Sequence, residues 1–283
     1  MRILISADME GTCGVVSWVH CEAPELGAAV SNQSEYDRAR LRMTREVNAA
    51  IEGALAGGAD DIIVNDSHDG QRNLIPEELH PAARYINGND KFFGMMQGID
   101  QGIDAVFYTG YHAKAGTPGA PLAHTWTTML QDVRFDGVST GEFGINAAIA
   151  GHFGVPVVFV SGDEKAVAQT QGILGEQVVG VAVKQGISTF SAINLHPEKA
   201  RDLIRDGAER AIAAIEFAEP YRLATGATVE LEYDHQARAD QAMLMPGVSR
   251  VGERTIAFQP ADGIVFTQMF RGCMKLAGIR MTP

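Results

Sequence analysis

The stretch ILISADMEG, residues 3–11, decides the fold of this chain. Its first three residues are aliphatic, which is typical of a β-strand that is buried on both faces. The strand runs into Asp8 and Glu10, and residues two positions apart in an extended chain point to the same side. Two carboxylates so close at the end of an apolar strand repel each other unless a cation lies between them. The alternative is a solvated Glu10 beside an Asp8 that caps the following turn.

Strands and helices alternate over the first two thirds of the chain. We predict further strands at 61–65, 105–109 and 156–160, helices at 34–55 and 143–151, and a short helix near 95–99. This alternation predicts an α/β fold, in which a doubly wound, mostly parallel sheet forms the middle layer of a three-layer sandwich.

The pattern changes near residue 185. Beyond it we predict a long helix at 197–217, strands at 228–233 and 255–258, and a closing helix at 262–276. We therefore expect two domains: an α/β metal-binding catalytic domain over residues 1–185 and a smaller α+β domain over residues 186–283.

The composition excludes some classes of partner. The 283 residues are 46% hydrophobic and 20% charged, as in an ordinary globular protein. A net charge of -12 disfavours nucleic acid, because phosphate binding needs a basic surface. We expect no membrane partner, since no apolar run is long enough to span a bilayer. We also expect no signal segment, since the first strand begins at Ile3 and no basic-then-apolar stretch precedes it. Cys13, Cys21 and Cys273 lack C-x-x-C spacing and are typical of reduced thiols in a cytoplasmic protein. Cys13 is either a metal ligand or a small buried apolar residue.

Side chains with metal-binding chemistry follow three of the predicted strands. Ligands bind beyond the carboxyl ends of the strands of an open α/β sheet, where Asp8, Glu10, His68 and His112 all fall. A single histidine after a strand is more often a cap or a core residue, but a group at one edge favours a metal. Carboxylate with imidazole suits zinc, with manganese or cobalt as alternatives. Because one zinc needs only three protein ligands, the surplus predicts two ions that share a bridging carboxylate.

Glu142 is a fifth candidate ligand. It opens the predicted helix at 143–151, so the alternative is a favourable interaction with the helix dipole. The sequence has no P-loop, no G-x-G-x-x-G after a strand, no H-E-x-x-H and no G-x-S-x-G. Nucleotide binding, zincin proteolysis and serine hydrolysis therefore lack their usual motifs.

Five ordered blocks of sequence resemble a known family. The blocks are SADMEG (6–11), VNDSH (64–68), GYHAKA (110–115), TPG (117–119) and GEFGINA (141–147). They are similar to the dinuclear zinc D-aminopeptidases encoded with dipeptide transporters, the DppA type. VKQ-x-IS at 183–188 extends the resemblance, which is weaker over the last third of the chain, where LMPG at 244–247 is the best local match.

The resemblance implies a role for each candidate ligand. Asp8 is expected to bridge two zinc ions. Glu10 and His112 would complete one ion, and His68 with Glu142 would complete the other.

The resemblance also implies a catalytic role for His124 and a double pentameric ring, a decamer, whose inner channel admits only short peptides. His124 follows a loop rich in glycine and proline, which is a poor position for a rigid metal ligand. Its local alternative is a surface histidine beside Trp126. The loop before His124 carries an extra residue relative to the family pattern, and the stretch 21–33 is longer than in the family.

We therefore interpret the chain as a cytoplasmic aminopeptidase that releases the N-terminal residue, expected to be a D-amino acid, from short peptides by attack of a hydroxide bridging two zinc ions. One alternative is a dinuclear phosphoesterase or another amidohydrolase on the same scaffold. For this, Lys114 and Lys184 are the candidate phosphate-binding groups. Another is a non-catalytic metal- or peptide-binding protein of a transport system, in which His124 is dispensable.

Overall fold

The computed structural model describes residues 1–23 and 33–279, and in these ranges the chain forms two β-sheets with helices around them. In chain order the strands are β1 (Arg2–Ala7), β2 (Asp61–Asp66), β3 (Ala83–Ile86), β4 (Ala105–Tyr111), β5 (Leu130–Phe135), β6 (Val138–Thr140), β7 (Val157–Asp163), β8 (Val179–Ser188), β9 (Ser191–Asn194), β10 (Val229–Tyr233), β11 (Ser249–Arg250) and β12 (Thr255–Phe258). The helices are α1 (Trp18–Cys21), α2 (Gln33–Ala56), α3 (Glu142–His152), α4 (Glu164–Leu174), α5 (Pro197–Ala214), α6 (Gln236–Ala242) and α7 (Gly263–Ala277).

The strand β1 is at the centre of the larger sheet. The strand order is β3-β2-β1-β4-β7-β8-β9, and every neighbouring pair is parallel except the edge pair β8–β9. The predicted doubly wound, mostly parallel α/β sheet is confirmed.

Both faces of β1 are buried, as the run of aliphatic residues predicts. Ile3 and Ile5 pack in a cluster with α2 and α5, whereas Leu4 packs on the opposite face with α3, α7 and the second sheet. All three side chains are completely buried. Full burial of one such side chain stabilises the fold by about 1.5–3 kcal/mol, which fixes the register of the strand that carries Asp8 and Glu10.

The smaller, antiparallel sheet takes strands from two distant parts of the chain. Its order is β11-β12-β10-β5-β6, so β5, at 130–135, pairs with β10, at 229–233, on one side and with β6 on the other. In turn, α5 lies against α2 and against β7 and β8 of the larger sheet. The strand β8 also runs through residue 185. The division of the chain into two domains at residue 185 stays a prediction. Any such division has to allow for the contacts between the two parts of the chain that are described above.

Several elements differ from the sequence prediction. The predicted helix at 197–217 ends at Ala214 and continues as a 3₁₀ turn, Ile215–Phe217, and the short helix near 95–99 is a 3₁₀ turn at Gly94–Met96. The strands β5 and β6 had no counterpart in the prediction, because short strands lack a distinctive period. The predicted longer loop at 21–33 lies mostly outside the described residues. None of the helices within residues 1–23 and 33–279 has the length and apolarity to cross a membrane.

Candidate metal centre

Three neighbouring strand ends bring the candidate ligands together. Because β1 pairs in parallel with both β2 and β4, Ala7 lies opposite Asp66 on one side and Thr109 on the other. The side chains that follow these positions therefore emerge at one edge of the sheet, where ligands of α/β proteins bind. The structure brings Asp8, Glu10, His68, His112, His124 and Glu142 into one buried cluster, here called the donor cluster.

The loops after β1 and β4 approach each other so closely that glycine is required. A Cβ on Gly11 would lie 1.9 Å from the carbonyl oxygen of Tyr111, and a Cβ on Gly110 would lie 2.2 Å from that of Asp8. Gly110 also has a φ of 68°, which favours glycine. Asp8 and His112 can be this close only because these two positions have no side chain.

Buried carboxylates outside the donor cluster hold the two histidine loops. Asp66 accepts hydrogen bonds from the backbone N–H groups of Asn73 and Leu74, at 2.5 and 2.8 Å, and so fixes the loop that carries His68. Asp163 accepts the N–H of Ala113 at 3.0 Å, next to His112, and also caps α4.

His68 lies beside the two carboxylates that follow β1. Its Nδ1 is 3.4 Å from Asp8 Oδ1 and 3.0 Å from Glu10 Oε2. Its Nε2 lies 2.9 Å from the carbonyl oxygen of Cys21, which orients the ring.

His112 lies on the other side of Asp8. Its Nε2 is 3.5 Å from Asp8 Oδ2 and 3.2 Å from Glu142 Oε1, while its Nδ1 lies 3.0 Å from the carbonyl oxygen of Ala113. The two oxygens of Asp8 thus face different imidazoles, which is the arrangement that a bridging carboxylate needs.

His124 lies at the edge of the donor cluster and is 13% exposed. Its ring stacks on that of His112, with the centroids 4.0 Å apart, and the edge of Trp18 contacts it at 5.3 Å. Its Nδ1 lies 2.9 Å from the carbonyl oxygen of Leu122, so Nδ1 carries the proton and Nε2 faces the cluster. Nε2 is 3.8 Å from Glu10 and from Glu142, farther than any ligand pair above.

The buried carboxylates and imidazoles of the donor cluster shift one another's pKa values. Burial and the charge of Glu10 raise the pKa of Asp8 to about 7. Burial opposes the charged form of His112, yet Glu142 and Asp8 raise the pKa of that imidazole to about 10. Burial and the charge of His112 lower the pKa of His124. The charge of each group in the cluster therefore depends on its neighbours.

The donor atoms fit zinc by distance and by their lack of other partners. Asp8 Oδ2, Glu10 Oε2 and His112 Nε2 are buried and have no hydrogen-bond partner among the residues that the structure describes. These atoms therefore lie close to their neighbours but do not form hydrogen bonds with them. Ligands bound to tetrahedral zinc at ~2.1 Å lie roughly 3.4 Å from one another, which matches the 3.0–3.5 Å separations of this cluster.

The division of the ligands between two ions stays a prediction. The donor atoms of Asp8, Glu10 and His112 lie within 4.8 Å of one another, which suits the pairing implied by the resemblance. By contrast, Glu10 is the nearest carboxylate to His68, and Glu142 is the nearest to His112.

Sequence reasoning did not identify Cys21 or Trp126 as part of this site. The Cys21 thiol is within 4.8 Å of donor atoms of Glu10 and His68, and burial raises the pKa of this thiol well above its usual value. Cys13, which was considered as a ligand, lies elsewhere, with its Sγ 3.0 Å from the carbonyl oxygen of Leu195. No local pattern distinguishes the two cysteines.

The Trp126 backbone holds Glu142 in place. Trp126 has a φ of 63° at the centre of a γ-turn, in which the N–H of Thr127 donates to the carbonyl oxygen of Thr125 at 2.6 Å. The turn directs the N–H of Trp126 to Glu142 Oε1 at 2.6 Å. A tryptophan with positive φ is strained, and such strain is found at functional sites.

Lys184 lies behind the donor cluster and is only 3% exposed. Its ammonium donates hydrogen bonds to the backbone carbonyl oxygens of Glu10, Thr12 and Val15, the last two at 3.1 and 2.6 Å. All three donor positions of the ammonium are therefore used, and Lys184 fixes the loop that follows β1.

A cavity of about 850 Å³ opens beside the donor cluster. Asp8, Glu10, His68, His124 and Glu142 line one part of it. Other described lining residues come from segments 89–95 and 126–129 and from α7.

Three comparisons show which known proteins this chain is similar to. The family model described as D-aminopeptidase (Peptidase_M55) matches residues 1–272. A D-aminopeptidase of Bacillus subtilis (strain 168) is 34% identical over 263 residues, which cover 93% of this chain and 92% of the relative. A solved structure described as the Zn-dependent D-aminopeptidase DppA from Bacillus subtilis, a self-compartmentalizing protease, superposes with a TM-score of 0.92 at 31% identity, covering 100% of both chains.

Proposed function

Because this chain belongs to the D-aminopeptidase family, we propose that it is a zinc-dependent metallo-aminopeptidase that releases the N-terminal residue, a D-amino acid, from short peptides. The observation that carries the proposal is the donor cluster, in which buried carboxylate and imidazole atoms face one another without hydrogen-bond partners in the described ranges.

We propose that five residues hold two zinc ions, with Asp8 as the bridge. Each Asp8 oxygen faces a different imidazole, His68 on one side and His112 on the other. Glu10 and Glu142 supply the remaining carboxylates. Manganese and cobalt share the same ligand preferences, so the metal content of the purified protein decides between them.

Bound zinc supplies Lewis-acid chemistry, since it polarises a carbonyl and lowers the pKa of water. The protein holds the ions through its donor residues and moves the proton of the attacking water through His124. The carbonyl of Leu122 fixes the Nδ1–H of His124, so that Nε2 presents its lone pair to the cavity. Nε2 of His124 accepts the proton of the attacking water and delivers it to the leaving amide nitrogen.

Two carboxylates outside the donor cluster suit a substrate with a free amino group. Glu22 and Asp69 line the cavity, and the proposed zinc site uses neither of them. A carboxylate attracts cations, and the terminal ammonium of a peptide is one.

We propose that the chain assembles as a homo-oligomeric ring, a decamer, in the cytoplasm. Ile187, Phe190 and Ile193 on the β8–β9 hairpin are 60%, 58% and 61% exposed, and apolar surface of this kind marks interfaces. Of the methionine-rich segments, 269–270 lies in the core, whereas Leu244 is 66% exposed. Light scattering on the purified protein should give a mass many times that of one chain, and a monomer would contradict the ring.

The alternative functions have less support in the described structure. Neither Lys114 nor Lys184 lines the cavity among its described residues, and the ammonium of Lys184 is occupied by backbone carbonyls. These two lysines therefore give the phosphoesterase no support, and the similarity to D-aminopeptidases favours a peptide substrate. A non-catalytic binding protein would keep the metal ligands but would not depend on His124.

The deciding experiment is hydrolysis of matched D-alanyl and L-alanyl dipeptides, with zinc measured on the same preparation. We expect free amino acid from the D-alanyl peptide and two zinc ions per chain. Hydrolysis of a phosphate ester in place of both peptides would overturn the proposal, and equal hydrolysis of the two stereoisomers would overturn the D preference.

A further inference from the structure

Among the described residues, Arg271 in the cavity beside the donor cluster hydrogen-bonds to backbone carbonyls and to no carboxylate. Arg271 on α7 lines the cavity, and its Nη1 donates to the backbone carbonyl oxygens of Lys91 and Phe92, the latter at 2.7 Å. These two bonds fix the position of the guanidinium and leave donors on Nη2 and Nε for another group.

No carboxylate within residues 1–23 and 33–279 forms an ion pair with Arg271. Asp90 is the acid whose charge acts on the guanidinium, but Asp90 pairs with Lys275 at 3.2 Å and is largely exposed. Burial lowers the pKa of Arg271, although an arginine stays charged at neutral pH. A half-buried cation without an acidic partner is stabilised by an anionic ligand.

We propose that Arg271 binds the C-terminal carboxylate of the peptide substrate. This inference rests on the proposed aminopeptidase function and adds a specificity determinant to it. The substrate amine and scissile bond lie at the donor cluster, and the fixed guanidinium elsewhere in the same cavity receives the other end of the molecule. A guanidinium matches a carboxylate in a bidentate geometry, so the free acid is preferred over a C-terminal amide.

The inference extends the substrate class from short peptides to short peptides with a free carboxylate. A volume of about 850 Å³ holds a molecule of a few residues. An anchor in the same cavity as the donor cluster favours substrates that combine a free N-terminal amine with a free C-terminal carboxylate.

The test compares D-alanyl di- and tripeptides as free acids and as C-terminal amides. For whichever of the two peptides is the better substrate, wild-type kcat/KM should be roughly 10- to 100-fold higher for the free acid than for the amide. Hydrogen bonds to charged groups contribute enough binding energy for a ratio of this size. In Arg271→Met this preference should fall to about threefold or less, through a higher KM for the acid, while kcat/KM for the amide changes little. Arg271→Lys should restore part of the preference, since a lysine keeps the charge but not the bidentate geometry.

Lys275→Met is the matched control, because Lys275 lines the same cavity one turn along α7 but is exposed and already paired with Asp90. Lys275→Met should change the ratio of kcat/KM between acid and amide by no more than about threefold. The proposal would be overturned by any of three results. The wild-type enzyme could show no preference for the acid, Arg271→Met could lose activity equally on acid and amide, or Lys275→Met could reduce the preference more than Arg271→Met does.

Calorimetric binding of the same peptides to the zinc-loaded His124→Ala protein, with and without Arg271→Met, separates this inference from the proposed function. Tighter binding of the acid that depends on Arg271 supports the anchor even if no peptide is hydrolysed, which would contradict only the enzymatic proposal. Equal binding of acid and amide in a protein that hydrolyses peptides would overturn only the anchor.

Discussion

Two clusters of buried charge lie on either side of the loop that follows β1, and Glu10 belongs to both. Its side chain joins the donor cluster, whereas its backbone carbonyl accepts a hydrogen bond from Lys184. The ammonium of Lys184 has three carbonyl acceptors, so this charge is satisfied within the protein. The donor cluster instead contains carboxylate and imidazole atoms that have no hydrogen-bond partner among the described residues.

The difference separates structural from functional buried charge. A buried polar group that is fully hydrogen-bonded holds the fold together, whereas buried polar atoms without hydrogen-bond partners carry an unfavourable energy that a ligand relieves. The hydrogen bonds of Lys184 therefore make the loop after β1 rigid, whereas the donor cluster gives the protein its affinity for cations.

Replacement of Asp8 should have the largest effect, because it removes the bridge of the donor cluster. We expect Asp8→Asn to lose both ions and, since zinc contributes several kcal/mol, ~10³-fold or more in activity. Glu142→Gln is the matched comparison and should chiefly weaken one ion. Elemental analysis of both variants checks this, and two ions retained in Asp8→Asn would remove its bridging role.

Removal of His124 tests whether the donor cluster has a catalytic partner that is not a ligand. His124→Ala should lower kcat by ~10²–10⁴-fold with little change in KM, because a general acid–base group acts on the transition state. Zinc content should be unchanged, because the proposed arrangement assigns both ions to the other five donor residues and leaves His124 to act on the substrate. Loss of zinc would make His124 a ligand, and normal turnover would make it a bystander.

Removal of Lys184 tests the buried charge whose hydrogen bonds are all made within the protein. Lys184→Met should destabilise the fold by about 2–4 kcal/mol, because three carbonyl oxygens lose their donor, and should weaken zinc binding by roughly 10–100-fold through the loosened loop. Denaturant unfolding and zinc titration measure the two effects. Lys165→Met, at an exposed position with a surface ion pair, is the control and should change the unfolding free energy by less than about 0.5 kcal/mol. A Lys184→Met protein with wild-type stability would contradict the comparison.

The smallest effect concerns Glu46, a buried carboxyl near Lys184 whose Oε1 accepts the N–H of Cys13 at 2.9 Å. Burial raises the pKa of Glu46 to about 7 from a usual 4.5. A raised carboxyl pKa gives stability that is fully present below the unfolded value and is lost as the pH rises through the folded one. Glu46→Gln should therefore gain about 1–3 kcal/mol over wild type between pH 5 and pH 8. Unfolding curves at both pH values check this, and a gap that does not grow with pH would show that Glu46 does not ionise in this range.

Much of the fold and the place of the site follow from local patterns. Aliphatic runs ending in polar residues indicate parallel strands, and parallel strands end at one edge of a sheet. Asp8, His68 and His112 each follow such a run, so their proximity is predictable without any knowledge of side-chain packing. The strands β5 and β6 are too short to show a distinctive period, and β5 is completed as a sheet strand by β10, which lies far along the chain.

By itself, the sequence determined the α/β sheet, the edge at which ligands gather and the chemistry of the donor groups, because these depend on strand direction and residue type. Only the tertiary structure decided which other residues serve the site. Lys184 meets the carbonyl of Glu10 across 174 positions, and Arg271 meets that of Lys91 across 180. Nothing in the residues around either cation distinguishes a surface charge from one that fixes a loop or faces a cavity, since that distinction is made by which distant backbone carbonyls the packed fold places within hydrogen-bond distance.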